Sequence, residues 1–319
     1  DVRAEQSRPS SPAPRDAAVR AAAIAQTRGA LLLELLEDYG SFHGVVRPCA
    51  DVCAAMLARA LAEARAAAQI LTESRARNSV HGSRRPTPRW QPTLARPLHL
   101  LLQSWVPLLP QMVGALAAAV QRACEARRVR EAGGACGAPP RCGVDRWLTR
   151  CAREDAAAHG TVLACLTAIG RLLELETLQG HAPTARLAAL RGGCAIAVIE
   201  AMGAFPAAAV QASGCDALAR LLDFKPTTIE QPPVTRDALA EALAGAMRSA
   251  VNAGAFAALA HAIRSMTEAA TAAELQAATR RSGDSAVQQQ HGSAFACIAA
   301  LCTAACGGAA ASAAASAAA

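Results

Sequence analysis

Large aromatic side chains are scarce in this chain: among 319 residues there are only five Phe, three Trp and one Tyr. A core built around stacked rings is therefore excluded. Apolar residues still make up 53% of the sequence, and much of that fraction is alanine, the residue with the highest helix propensity. Val, Ile and Thr, which favour strands, are too sparse for an extensive sheet. The composition predicts an all-α protein whose helices approach one another closely.

Lysine is almost absent, since Lys225 is the only one in the chain. Residues 1–150 contain 21 arginines against 12 acidic residues, whereas residues 151–319 contain ten arginines and Lys225 against 13 acidic residues. The positive charge is thus concentrated in the first half of the chain. Such an asymmetry favours an acidic partner for that half.

Motifs of the common catalytic and cofactor sites are missing. The sequence has no P-loop, no G-x-G-x-x-G, no H-E-x-x-H and no G-x-S-x-G. Its 12 cysteines include no C-x-x-C pair, so a zinc site is poorly supported. Most of the cysteines lie in apolar helical patterns and are predicted to be reduced core thiols, with a disulfide or a metal site as the alternatives. We predict no catalytic centre, no cofactor and no metal.

One uncharged stretch, residues 98–120, is long enough to cross a bilayer. It contains Pro107 and Pro110, and two prolines at this spacing would break an isolated helix. A buried helical hairpin is therefore favoured over a membrane span.

Composition and periodicity divide the chain into segments with different expected structures. Ser, Pro and Arg mark disordered or linker segments, Gly-Gly and Pro-Pro mark a loop, and spaced apolar residues mark helices. The predicted organisation is a disordered segment at 1–16, a helical region at 17–72, a basic Pro/Arg linker at 73–97, a helical hairpin at 98–132, a loop at 133–145, a repeat domain at 146–306 and an Ala/Ser tail at 307–319.

The repeat domain is predicted from internal similarity. Residues 159–169 (HGTVLACLTAI) recur as residues 291–301 (HGSAFACIAAL), and a less regular copy occupies residues 210–222. The first two copies are 132 residues apart, or three lengths of 44, which falls within the period of HEAT and armadillo repeats. A second element, a small-residue turn followed by an apolar helix, occurs at residues 191–202 and again at 252–263.

The order of these elements resembles that of armadillo repeats over about residues 155–305. Residues 192–203 resemble the second helix of a repeat and residues 209–222 its long third helix, while residues 182–190 and 237–251 would supply first helices. The resemblance implies a right-handed α-solenoid of three-helix repeats, whose third helices line a concave groove that binds peptides or proteins. Stacking would give each unit the apolar contacts that it lacks alone.

The groove chemistry of this chain differs from that of peptide-binding armadillo proteins, which carry Trp and Asn four residues apart on the third helix. Asp216 and Arg220 occupy the matching positions in the middle unit. In the flanking units the matching residues are alanines: Ala164, Ala168, Ala296 and Ala300. The Asn ladder is therefore absent. Asp216 and Arg220 are predicted to form an exposed i,i+4 pair on a solvated face, with a ligand clamp as the alternative.

A second candidate site is the basic linker, whose prolines favour an extended chain. Arginine suits bidentate contact with carboxylate or phosphate, and a tryptophan can stack on a base or fill a pocket. The expected ligand is an acidic protein surface or RNA, and the alternative is a solvated linker. The residues predicted to make contact are Arg75, Arg77, Arg84, Arg85, Arg89, Trp90 and Arg96.

Two functions follow from these patterns. The favoured one is a non-catalytic scaffold or subunit of a larger assembly that binds protein through its repeat surface. The alternative is an RNA-associated organellar factor; a base-reading code needs polar residues at equivalent repeat positions, and alanine at those positions argues against it. The expected location is cytoplasmic or cytoskeletal, with the cilium as one setting suggested by the resemblance. Mitochondria or another organelle are the alternative.

Overall fold

The computed structural model describes residues 14–80, 105–134, 144–179, 184–222 and 233–277. Within these ranges the chain forms nine α-helices and one short 3-10 turn, Val106–Leu108, and no strand. The predicted all-α class is confirmed for this part of the chain. The helices are α1 (Pro14–Asp38), α2 (His43–Val80), α3 (Leu109–Gly134), α4 (Val144–Gln179), α5 (Thr184–Arg191), α6 (Cys194–Ala204), α7 (Ala208–Leu222), α8 (Pro233–Asn252) and α9 (Ala255–Ala277).

The helices pack in rows around one apolar core. In one row α4 lies between α2 and α7, and in another α1, α3, α6 and α9 follow one another. Helix α5 packs against α3 and α8. The core extends from Leu32 in α1 to Met266 in α9 and is built mainly from Leu, Ala, Val and Cys, as the shortage of aromatic residues predicts.

Two glycine turns start α6 and α9. Gly193 has φ 74° and Gly254 has φ 85°, a left-handed conformation that L side chains rarely adopt. In both turns the glycine carbonyl accepts a hydrogen bond from the first turn of the following helix, at 3.1 Å from Ala197 N and 3.0 Å from Ala258 N. The helices that were predicted to follow small-residue turns at 192 and 253 therefore begin where the sequence indicated.

The junction of α6 with α7 depends on one buried amide. Gln211 Nε2 donates to the backbone carbonyls of Met202 and Phe205 at 2.6 and 2.9 Å, so it pairs acceptors at the C-terminal end of α6. Nearby, a Cβ added to Gly214 would lie 2.6 Å from Met202 Cγ, closer than real Cβ atoms approach a neighbour. Glycine therefore allows α6 and α7 to come into close contact.

Helix α5 is held by a carboxylate from α4. Glu176, which is buried, accepts hydrogen bonds from the backbone N–H groups of Ala185 and Arg186 at 2.6 and 3.0 Å. Burial raises the pKa of Glu176 above 4.5, although the two backbone N–H groups and the Arg186 charge act in the opposite direction. This side chain positions the first turn of α5 against the end of α4.

Several predicted boundaries need correction. Helix α2 continues to Val80, so residues 73–80, including Arg75 and Arg77, are helical and the prediction of an extended linker is wrong there. Helix α3 accounts for the second arm of the predicted hairpin, since it begins at Leu109. The prediction of disorder is wrong for residues 14–16, since α1 begins at Pro14. The predicted loop is shorter than 133–145, because α3 ends at Gly134 and α4 begins at Val144. The remaining parts of these segments, the 278–306 part of the repeat domain and the 307–319 tail lie outside the described residues.

One apolar stretch of α4, Cys151–Thr177, is long and apolar enough to cross a membrane by length and composition, and α5 and α6 pass the same test only as a pair bent by 63°. Of the apolar window in this helix, 61% is buried inside the protein. The core helix of a soluble protein has the same properties, so the finding is weak evidence for a span.

Candidate binding surface on helices α2, α4 and α7

Polar side chains from three neighbouring helices meet on one surface, here called the three-helix surface. Residues of α4 and α7 meet in the same order along both helices. Thr167 Oγ1 lies 3.4 Å from Ser213 Oγ, and three residues later Gly170 approaches Asp216. The two helices therefore run parallel. The surface comprises Arg47, Asp51 and Arg65 of α2, Thr167, Gly170, Arg171 and Glu174 of α4, and Ser213, Asp216 and Arg220 of α7.

A chain of ion pairs crosses all three helices. Arg65 of α2 pairs with one carboxylate oxygen of Glu174 in α4. The other oxygen of Glu174 lies 2.6 Å from Arg220 Nη1 of α7, and Arg220 Nε lies 2.8 Å from Asp216 Oδ2. Glu174 thus bridges two arginines, and Arg220 bridges two carboxylates. This arrangement fixes the side chains at the centre of the surface.

The electrostatics keep Arg220 charged although it is partly buried. Burial lowers its pKa, but the hydrogen bond and charge of Asp216, followed by the charge and hydrogen bond of Glu174, outweigh burial and raise the pKa above the ordinary arginine value. The close packing of α4 against α7 brings these groups together, because a Cβ added to Gly170 would lie 3.1 Å from Asp216 Oδ2.

The α2 edge of the surface offers the most accessible charges. The side chains of Arg65, Arg47 and Asp51 are 58%, 55% and 59% exposed, and Arg47 lies 3.7 Å from Asp51. Farther in, Arg171 of α4 donates to the backbone carbonyl of Ala54 in α2. A ligand that approaches this surface would therefore meet the exposed α2 charges, of both signs, first.

The predicted i,i+4 pair of Asp216 and Arg220 is present. Both side chains are half-buried, so the face that carries them is less solvated than predicted. The reason is Glu174, which covers Arg220 from the neighbouring helix. Nothing in the sequence indicated that Glu174 or Arg65 would join the pair, since both lie far from it along the chain.

The register predicted for the neighbouring unit is also wrong. Ala164 and Ala168 are buried in the core, and the residues of α4 beside Asp216 and Arg220 are Gly170 and Glu174. Of these two positions, Glu174 carries a charged side chain and Gly170 is buried. The sequence-based argument against RNA, which relied on alanine at those positions, does not hold for α4. Ala296 and Ala300 lie outside the described residues.

Only part of the predicted basic site can be located. Arg75 and Arg77 lie in the last turns of α2. The other five residues are outside the described ranges: Arg84, Arg85, Arg89, Trp90 and Arg96.

The seven cysteines of the described helices are not in disulfides, and six of them are buried. Burial raises the pKa of Cys53, Cys165, Cys194 and Cys215 to about 12. The prediction that these cysteines pack as small apolar side chains is confirmed at those positions. In the described part of the chain, no group of three or more His, Cys, Asp or Glu side chains is placed to hold a metal ion.

A separate cleft of about 460 Å³ lies where the α5–α6 turn faces α8. Gly193 and Ile196 form one side, while Glu241, Arg248 and Ser249 lie on the other. No motif in the sequence indicates this cleft. Its polar groups include one carboxylate and one guanidinium on α8, and they do not form a connected set like that on the three-helix surface.

Comparisons of this chain with protein-family models, with curated proteins and with solved structures find no match. The arrangement itself supports recognition by charge and hydrogen bonds. Guanidinium groups stay protonated and act only as donors, and ionised carboxylates act only as acceptors. The three-helix surface therefore presents donors and acceptors in fixed positions.

Proposed function

We propose that this protein is a non-catalytic scaffold, or a subunit of a larger assembly, that binds another protein through the three-helix surface. The observation that carries the proposal is the ion-pair chain from Arg65 through Glu174 to Arg220, which spans three neighbouring helices. A long surface with fixed polar groups suits an extended polypeptide, whose side chains and backbone can pair with alternating donors and acceptors.

The proposed architecture is an armadillo-like α-solenoid. Its support is the repeated order of elements: α5, a glycine turn and α6, then α8, a glycine turn and α9. The row of α2, α4 and α7 corresponds in this proposal to third helices, and the row of α1, α3, α6 and α9 to second helices. Third helices line the groove in the armadillo family, which agrees with the position of the three-helix surface.

The mixed charge of the surface favours a protein over a nucleic acid. Glu174 and Asp216 would repel phosphate groups, and Arg220 is already paired with both carboxylates. Nucleic-acid surfaces usually carry an excess of free cations along a track. A polypeptide that carries both signs of charge fits this surface better.

The experiment is quantitative affinity purification with charge-reversed variants. The test variant combines Arg47→Glu with Arg65→Glu, both on exposed side chains, and the matched control is Arg264→Glu, on an exposed side chain of α9. The direct partner should be recovered at least about tenfold less with the test variant, equivalent to ~1.4 kcal/mol of binding free energy. Recovery should be unchanged with the control. Equal recovery of the partner by wild type, the test variant and the control would overturn the proposal.

RNA binding through the basic linker is the alternative function, and a second variant tests it. Replacing Arg75, Arg77, Arg84, Arg85, Arg89 and Arg96 with Gln would abolish RNA recovery and flatten the salt dependence of binding, because each phosphate contact adds roughly one unit to the slope. Cross-linked RNA that is lost in this variant and retained in the Arg47/Arg65 variant would replace the scaffold proposal with the RNA function.

A further inference from the structure

The ion-pair chain of the three-helix surface has an open donor at one end and an open acceptor at the other. At the α2 end, Arg65 uses one nitrogen, Nη2, for Glu174, and a guanidinium group has five N–H donors in all. At the α7 end, Asp216 accepts from Arg220 through Oδ2, and within the described ranges its Oδ1 has no hydrogen-bond partner. The Asp216 side chain is 43% exposed. Both ends can therefore pair with another molecule.

The middle of the ion-pair chain is closed to a partner. Both oxygens of Glu174 are occupied by arginines, and only 12% of that side chain is exposed. Arg220 holds two carboxylates and is 25% exposed. A ligand would have to break an internal pair to reach either residue, whereas it can pair with Arg65 and Asp216 without breaking any. The two ends are thus the points at which the ion-pair chain selects among partners.

The two ends are separated across the helices. Arg65 lies on α2 and Asp216 on α7, with α4 between these two helices. Three ion pairs and the two charged groups between them place the ends roughly 10–13 Å apart. An extended polypeptide advances about 3.3 Å per residue, and its alternate side chains share one face. A segment that crosses the helices would therefore reach both ends with side chains that are four residues apart.

We propose that the protein partner contributes an extended segment with an acidic and a basic side chain four residues apart. The acidic side chain pairs with Arg65, and the basic side chain pairs with Asp216. This inference rests on the proposed function and adds the charge pattern of the partner to it. A segment with two acids or two bases at these positions would place like charges together at one end, which the surface disfavours.

Selection from a random library of linear peptides displayed on phage tests this pattern with the full chain. Peptides bound by wild type should be enriched in an acid and a base four residues apart. Arg65→Gln should remove the preference for the acid only, and Asp216→Asn the preference for the base only, because each variant neutralises one end. Arg264→Gln, at an exposed position of α9, is the matched control and should keep both preferences.

Binding of synthetic peptides measures the size of the effect. A selected peptide should bind wild type about tenfold more tightly than versions with two acids or two bases at the paired positions. Replacing the acid of the peptide with Gln should weaken binding to wild type about threefold and leave binding to Arg65→Gln unchanged, as a double-mutant cycle shows for a direct contact.

Two results would overturn the inference and leave the proposed function standing. One is a set of peptides that the Arg47→Glu/Arg65→Glu variant no longer binds but that lack the acid–base spacing. The other is that no enriched peptide depends on the surface while the native partner does. Failure of the proposed function is a separate result, since that variant would then recover the native partner as well as wild type does.

Discussion

Gly193 and Gly254 hold the same position in two separate turns. Each has a positive φ, each is followed at once by a helix, and each accepts a hydrogen bond from the residue four positions later. The residue before each glycine donates to a carbonyl in the preceding helix, at 2.8 Å for Gly192 and 2.9 Å for Ala253. The shared geometry supports the proposal that α5–α6 and α8–α9 are copies of one unit.

Replacing either turn glycine with alanine should destabilise the protein. Gly193→Ala and Gly254→Ala should each lower the free energy of unfolding by about 1–2 kcal/mol, because alanine is strained at positive φ. Urea denaturation measures the change. The control is Gly203→Ala, an exposed helical site with no atom within 4 Å of the added Cβ, which should be neutral or stabilising by up to about 1 kcal/mol. Similar losses at all three sites would refute the assigned role of the turns.

Gln211 should be required for the end of α6. Gln211→Leu keeps an apolar stem but removes both hydrogen bonds to the carbonyls of Met202 and Phe205. We expect a loss of about 2 kcal/mol or more in the free energy of unfolding, since buried acceptors lose their donor. Gln111→Leu, at an exposed position of α3, is the matched control and should change stability by less than about 0.5 kcal/mol. If Gln211→Leu lowered the free energy of unfolding as little as Gln111→Leu does, the role of Gln211 would be contradicted.

Glu176 should make stability depend on pH in an unusual direction. Burial raises the pKa of Glu176 in the folded protein above its ordinary value of 4.5. At a pH between 4.5 and the folded-state pKa, the folded protein therefore binds more protons than the unfolded chain does. The stability that Glu176 contributes is therefore full below 4.5 and is lost as pH rises through the folded pKa. The difference in unfolding free energy between wild type and Glu176→Gln should fall across that window. A difference that rises with pH would mean that the backbone N–H groups outweigh burial.

The buried thiols should be unreactive in the folded protein. Cys165 and Cys194 are completely shielded, and burial raises the pKa of each to about 12, so the reactive thiolate is nearly absent at pH 8. Cys151 is only half-buried. In alkylation followed by peptide mass spectrometry, Cys151 should be labelled much faster than the other two. In denaturant all three should react alike; equal rates in the folded state would contradict the described core.

Local patterns predicted the helices of the second half well. The sequence predicted helices at 182–190 and 209–222, and the structure has helices at Thr184–Arg191 and Ala208–Leu222. Glycine turns and apolar spacing act within a few residues, so they can be recognised without knowing the fold.

The candidate surface could not be predicted in the same way. Glu174 and Arg220 meet only because α4 and α7 lie side by side, and the faces that they present depend on how both helices pack. Alanine occurs both in cores and on surfaces, so the burial of Ala164 and Ala168 could not be predicted from residue type. The extension of α2 to Val80 has another cause. Charged residues are typical of linkers, but arginine and alanine also favour helices, so composition does not locate the end of α2.

Hydrogen exchange of the purified complex tests the central claim most directly. The complex would contain this chain and the protein that wild type retains but the Arg47→Glu/Arg65→Glu variant loses. Compared with the free chain, the complex should exchange more slowly in the parts of α2, α4 and α7 that carry Arg65, Glu174 and Arg220, because a bound partner suppresses local opening there. Unchanged exchange in these three segments, with protection confined to α8 and α9, would contradict the claim that the three-helix surface binds the partner.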